Sequence, residues 1–223
     1  MPPRNESPWL PRQDQPTRRA AFRPLRRVLI VCEDEKSSKL YLDSFPVDRR
    51  RIEILTVGTG RNTDSLVEHA IGLKRNAAAR QDPYNDVFCV FDRDSFPAQN
   101  FNRAFQLALN ASIRAIWANE AFELWYLLHF DFINTAIPRA EYGERLERRL
   151  LIGYQKNDPT IYDRLRDFQS VATRNAVRLR KHWIEVRRRG CNPESCNPST
   201  NIQDLVEFLN QLAELGETED PET

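Results

Sequence analysis

Two runs of five apolar residues limit what this chain can become. Val28-Leu29-Ile30-Val31-Cys32 leads directly into Glu33-Asp34-Glu35, and Val87-Phe88-Cys89-Val90-Phe91 leads into Asp92-Arg93-Asp94. Unbroken apolar runs of this length, rich in β-branched and aromatic side chains, read as strands buried on both faces. In open α/β sheets, ligands bind beyond the carboxyl ends of such strands. Carboxylates gathered there work against stability. At ~5 Å and an effective dielectric of ~20, each like-charge pair costs roughly 3 kcal/mol. A divalent cation offsets that repulsion, and hard oxygen donors suit Mg2+ or Mn2+. The expectation is a metal site built by Glu33, Asp92 and Asp94.

Between and beyond the two runs the pattern alternates. Strand 28–32 is followed by a helix over 36–45 and strand 52–57 by a helix over 63–80; strand 86–91 and a helix over 98–110 precede strand 112–117. Strands separated by helical periodicity of 10–18 residues indicate βαβ units and a parallel sheet of four strands. From Glu120 onward only helices are expected, over 120–130, 139–151, 158–169, 171–189 and 199–215. The division that follows is a flexible Pro/Arg-rich arm (1–24), an α/β core (25–130), a helical extension packing on the core (131–215) and an acidic tail (216–223). Six of the fourteen prolines fall in the arm, where Trp9 and Phe22 are its potential anchors.

The 29% charged fraction argues against a membrane protein, and no apolar stretch approaches the ~20 residues that span a bilayer. The Pro/Arg-rich start has no apolar segment of a secretory leader. Four cysteines, two of them in the buried runs, fit reduced thiols in a cytoplasm. A net charge of +1 conceals segregation: residues 1–27 balance at +5, residues 139–189 at +7 and the last ten residues at −5. Basic stretches of this kind fit either a nucleic-acid backbone or a solvated helix face. Arg174, Arg178 and Lys181 share one helix face by spacing and are the candidates for holding a backbone.

An acid ending the first strand, with Asp-x-Asp ending the third, resembles the Toprim fold of topoisomerases, primases and some nucleases. That resemblance implies Glu33 as general base or metal ligand and the Asp pair as the holder of Mg2+ against a scissile phosphate. Longer segments are similar to one family, the RloB-like proteins. They are VLIVCEDEKS (28–37), VFCVFDRDSF (87–96), ANEAFELWYLLHF (118–130), GYQKND (153–158) and NPSTNIQDLV (197–206). The resemblance implies a Toprim-like, Rossmann-like α/β fold with an all-helical C-terminal extension. It also implies a metal-dependent nuclease of antiviral defence or abortive infection, with a partner ATPase. The chain departs from the family pattern at Asp34 (glycine is usual), Ser37 (threonine) and Glu120 (proline). Asp34 then either crowds the metal pocket or supplies a further ligand.

The remaining candidates each have a plainer reading. Glu123, in the first turn of the 120–130 helix, matches a family position, but an acid there also complements the helix dipole. His129 lies six residues on, about 240° around the helix, so the two cannot both face one pocket. Lys156 matches a family motif and Lys36 follows the acidic cluster; each is a candidate for a phosphate, or an ordinary loop lysine. Asn197 and Thr200 fit a helix start better than chemistry. Gly58-Thr59-Gly60-Arg61-Asn62 is a tight strand-to-helix turn without the full phosphate-loop pattern. The rival to a nuclease is a non-catalytic subunit that binds nucleic acid or an ATPase.

Overall fold

The computed structural model describes residues 26–60, 63–93, 97–151, 153–187 and 193–217. The Pro/Arg-rich arm, Arg61, Asn62, Asp94, Cys191 and the residues after Glu217 lie outside them.

β1 (Arg26–Cys32), β2 (Ile52–Gly58), β3 (Asp86–Asp92) and β4 (Arg114–Asn119) run parallel in the order β2-β1-β3-β4. Three helices make the crossovers: α1 (Ser37–Asp43), α2 (Thr63–Ala79) and α3 (Ala98–Asn110). The two apolar runs occupy β1 and β3, with residues 28–32 completely inaccessible. Alternation sorts them between two cores. Val28, Ile30, Phe88 and Val90 face one layer, while Leu29, Val31, Val87, Cys89 and Phe91 face α2 and α3.

The first layer is built by α1 and the helices beyond β4: α4 (Glu123–Leu128), α5 (Arg139–Arg149), α6 (Ile161–Leu165), α7 (Gln169–Arg187) and α8 (Ile202–Glu217). Every residue of α4 is buried, and Tyr41, Phe122, Trp125 and Tyr126 make its surroundings aromatic. The helix expected over 120–130 is thus only six residues long. That expected over 158–169 is α6 followed by a 3-10 turn, Arg166–Phe168.

The sheet has five strands, not four. Ser199–Thr200 forms β5, antiparallel to β4, with Ala118 opposite Thr200 and Asn119 opposite Ser199. Two residues carry no periodicity, and the Asn-Pro-Ser-Thr segment reads as a helix start. Both roles coexist. Thr200 Oγ1 accepts the Ile202 N–H at 3.1 Å and donates to Trp117 O at 2.7 Å. Asn201 continues the pairing with its side chain: Oδ1 accepts Trp117 N–H at 2.7 Å and Nδ2 donates to Ala115 O at 2.9 Å.

Cysteine chemistry is mixed. Cys32 and Cys89 are free and buried, but Cys196 is in a disulfide, which corrects the expectation of four reduced thiols. Among the described residues no helix is long and apolar enough to cross a membrane.

Candidate metal and phosphate site

The chain leaves β1 to form β2 on one side, then returns to form β3 on the other. The crevice between the carboxyl ends of β1 and β3 is therefore the point where the strand order switches, the usual ligand position in such sheets. Glu33 and Asp92 stand there. Glu33 N–H donates to Val90 O at 2.9 Å, which extends the β1–β3 ladder by one residue. Its carboxylate then turns across the gap, and Oε2 accepts the Asp92 N–H at 3.2 Å.

The floor of this crevice is fixed by the turn after β2. Thr59 N–H and Gly60 N–H donate to Cys32 O and Glu33 O at 3.1 and 2.9 Å. These amides hold the end of β1 and are not turned toward a phosphate. A Cβ on Gly58 would lie 2.6 Å from Glu35 Cα, so the close approach of the two strand ends needs glycine.

Burial shapes the titration of both acids. Glu33 is pushed up to about 7, mainly by desolvation and further by Asp34, against the Asp92 N–H and Arg139, which lower it. Asp92 is held well above the usual carboxylate range, first by burial, then by the Glu123 and Glu33 carboxylates. Arg139 and Lys156 pull the other way. Arg139, at the start of α5, places a guanidinium nitrogen 3.5 Å from Asp92 Oδ2. No motif marked this residue. A cation in the first turn of a helix opposes the dipole, and that anomaly after Pro138 was the available signal.

Glu123 forms the third corner. Its Oε1 accepts the Tyr154 hydroxyl at 3.1 Å and lies 3.5 Å from Ser37 Oγ and 4.0 Å from Lys156 Nζ. Ser37 in turn donates to Lys156 O at 3.2 Å and its own carbonyl accepts the Tyr126 hydroxyl at 2.9 Å. Tyr154, raised by burial and by Glu123, stays a neutral donor. Lys156 is half exposed, pairing with a carboxylate while its outer side meets solvent.

A family model described as RloB-like protein matches residues 28–209. The chain belongs to the RloB-like family. No curated protein and no solved structure matches it. The family match covers Glu33, Asp92, Glu123 and Lys156, which the fold brings to one crevice, and it reaches beyond β5 into α8.

Other residues proposed from sequence fall elsewhere in this RloB-like chain. Asp34 is engaged locally: its carboxylate accepts Lys36 N–H at 3.0 Å and Ser38 N–H at 3.3 Å, and so caps α1. A carboxylate three residues before the first residue of a helix satisfies amides that the helix itself leaves open. Lys36 is exposed, with no ion-pair partner among the described residues. His129 points into the core instead of the crevice, as the 240° offset from Glu123 requires. Its Nδ1 meets Trp125 O at 2.9 Å, its ring packs edge-on against Trp125 and Tyr41, and burial lowers it to about 4. Arg174, Arg178 and Lys181 are all exposed on α7, and Arg178 lies 3.8 Å over the Phe132 ring. Asn197 immediately precedes Pro198 and β5, whose antiparallel pairing of Ser199 with Asn119 puts it at the carboxyl end of β4, one strand over from Asp92. Asp94 lies outside the described residues.

Among the described residues, no group of three His, Cys, Asp or Glu side chains is arranged to hold a metal ion. The adjacent pair Glu33 and Asp92 nevertheless fits Mg2+ by donor chemistry. That ion keeps several waters and takes one or two carboxylates together with substrate phosphate.

Proposed function

We propose that this protein is a Mg2+- or Mn2+-dependent phosphodiesterase of Toprim type that hydrolyses nucleic acid. The observation that carries the reading is the meeting of Glu33 and Asp92 at the switch point, partly buried and with Glu123 acting electrostatically on Asp92. Such a group is costly for the protein alone and favourable around a cation. When bound there, the metal supplies Lewis-acid polarisation of a phosphoryl oxygen and a nucleophilic water.

The chain's own residues would do the rest. Asp92 and Glu33 hold the cation side of the crevice. Arg139, paired with Asp92, and Lys156, beside Glu123, are the cations at the crevice that would meet a phosphate oxygen. Glu123, hydrogen-bonded by Tyr154, orients Lys156. In the reaction, water adds to phosphorus, one P–O ester bond breaks, and the departing alkoxide takes up a proton. Arg174, Arg178 and Lys181 would contact the polymer backbone. A role in antiviral defence beside an ATPase is part of this proposal and is supported only by the family resemblance.

The test is incubation of the full chain with labelled tRNA, unstructured RNA, and single- and double-stranded DNA, with and without Mn2+, beside Asp92→Asn. Cleavage that needs both metal and Asp92 supports the reading and names the polymer. Failure on every polymer, also with a partner ATPase present, favours a non-catalytic subunit.

A further inference from the structure

A cavity of about 720 Å³ lies apart from the crevice, between the segment 131–137 that follows α4 and the last turns of α5. Its rim carries Arg145, Arg148 and Arg149 against a single acid, Asp131. Two of the arginines are already engaged. Arg145 pairs with Glu141 at 3.0 Å, and Arg149 forks onto Asp131, with its Nε at 2.8 Å. Arg148 is exposed and has no ion-pair partner among the described residues. The deeper wall is apolar, with Ile133 and Ile137 buried. Phe132 also lines the cavity, and Arg178 of α7 lies over its ring.

A cation at the mouth and an apolar, aromatic wall behind it suit one nucleotide, the phosphate outside and the base within. The helix that carries Arg148 begins at Arg139, which touches Asp92. Nine residues of α-helix advance ~13.5 Å. That distance spans about four nucleotides stacked at 3.4 Å each. One helix thus connects the crevice to the cavity, and the exposed basic face of α7 reaches the same cavity through Arg178.

We propose that this cavity is a second subsite for the strand cleaved at the crevice, holding an unpaired nucleotide with Arg148 on its phosphate. The inference rests on the phosphodiesterase reading and deepens it: the substrate is single-stranded nucleic acid. A paired base in a duplex cannot enter a pocket without being unstacked.

Fluorescence anisotropy of the full chain in EDTA, with labelled 12-nucleotide single-stranded RNA, single-stranded DNA and their duplexes, tests it. The single strands bind more tightly than the duplexes, and the stronger of the two identifies RNA or DNA. Arg148→Ala weakens single-strand binding roughly tenfold and lowers the salt dependence by about one phosphate contact. Ala136→Trp, which fills the cavity without changing charge, weakens binding while leaving the salt slope as it was. Binding by either variant equal to wild type overturns the subsite, as does a wild type that binds no polymer or prefers duplex. Hydrolysis of bis(p-nitrophenyl) phosphate by the wild type in Mn2+ is read separately. Its absence, together with no cleavage of any polymer in the presence of a partner ATPase, beside Arg148-dependent binding overturns the phosphodiesterase reading and leaves the subsite standing.

Discussion

Replacing Glu33 by Gln should make the metal-free protein more stable at pH 8. In the folded chain Glu33 is pushed up to about 7 from an ordinary 4.5, with burial as the largest cause. Because the folded value lies above the unfolded one, the native state holds an extra proton between these pH values. Stability therefore falls as pH rises from 4.5 to 7 and stays reduced above. The span corresponds to ~3 kcal/mol at 1.36 kcal/mol per unit. Gln keeps an oxygen for the Asp92 N–H, so the neutral variant loses the charge and not the hydrogen bond. A gain of about 1–3 kcal/mol is expected at pH 8, equivalent to roughly 2–10 °C in Tm for a chain of this size. Relief of Asp92, which Glu33 also raises, adds to it. Urea unfolding in EDTA at pH 5 and pH 8 measures the difference. Adding Mn2+ should then stabilise the wild type and not the variant. A variant less stable than wild type at pH 8, or a difference independent of pH, would refute the argument that charge repulsion and burial are what this crevice stores.

His129 predicts the opposite pH dependence. Its folded value of about 4 lies below the ordinary 6.5, so the wild type loses stability as pH falls from 6.5 to 4, by up to ~3 kcal/mol. His129→Phe should flatten that limb in urea titrations at pH 4.5 and 7. Gly58→Ala should cost at least about 1–3 kcal/mol in the same assay, because the added methyl meets the Glu35 backbone and not a flexible side chain.

The alternation of β1 through β4 with α1 to α3 was legible because each element is long enough to display its period and each buried strand is apolar throughout. Glu33 and Asp92 were legible for the same reason: a strand end is readable, and an acid at that end has a known position in the sheet. What lay beyond reach came from contacts made across long separations. β5 is two residues long, and its pairing with β4 joins positions about eighty apart. Arg139 and Tyr154 reach Asp92 and Glu123 only because α4 is buried in the aromatic layer and turns the chain back over the crevice. The Asp34 cap was accessible in principle, since an Asp shortly before a helix offers acceptors to its open amides. Its place within an acidic cluster favoured the metal reading.

The order in which the ribosome delivers these pieces matters. Glu33 and Asp92 are synthesised in the first half of the chain. The cations that face them, Arg139 and Lys156, emerge later, and β5 and Asn201, which close the β4 edge, come near the end. A nascent chain halted before residue 139 therefore presents buried-type carboxylates without their counter-charges and a β4 edge open to pairing with other strands. The assembled crevice belongs to the nearly finished polypeptide, so the first 130 residues expressed alone should be aggregation-prone and inert.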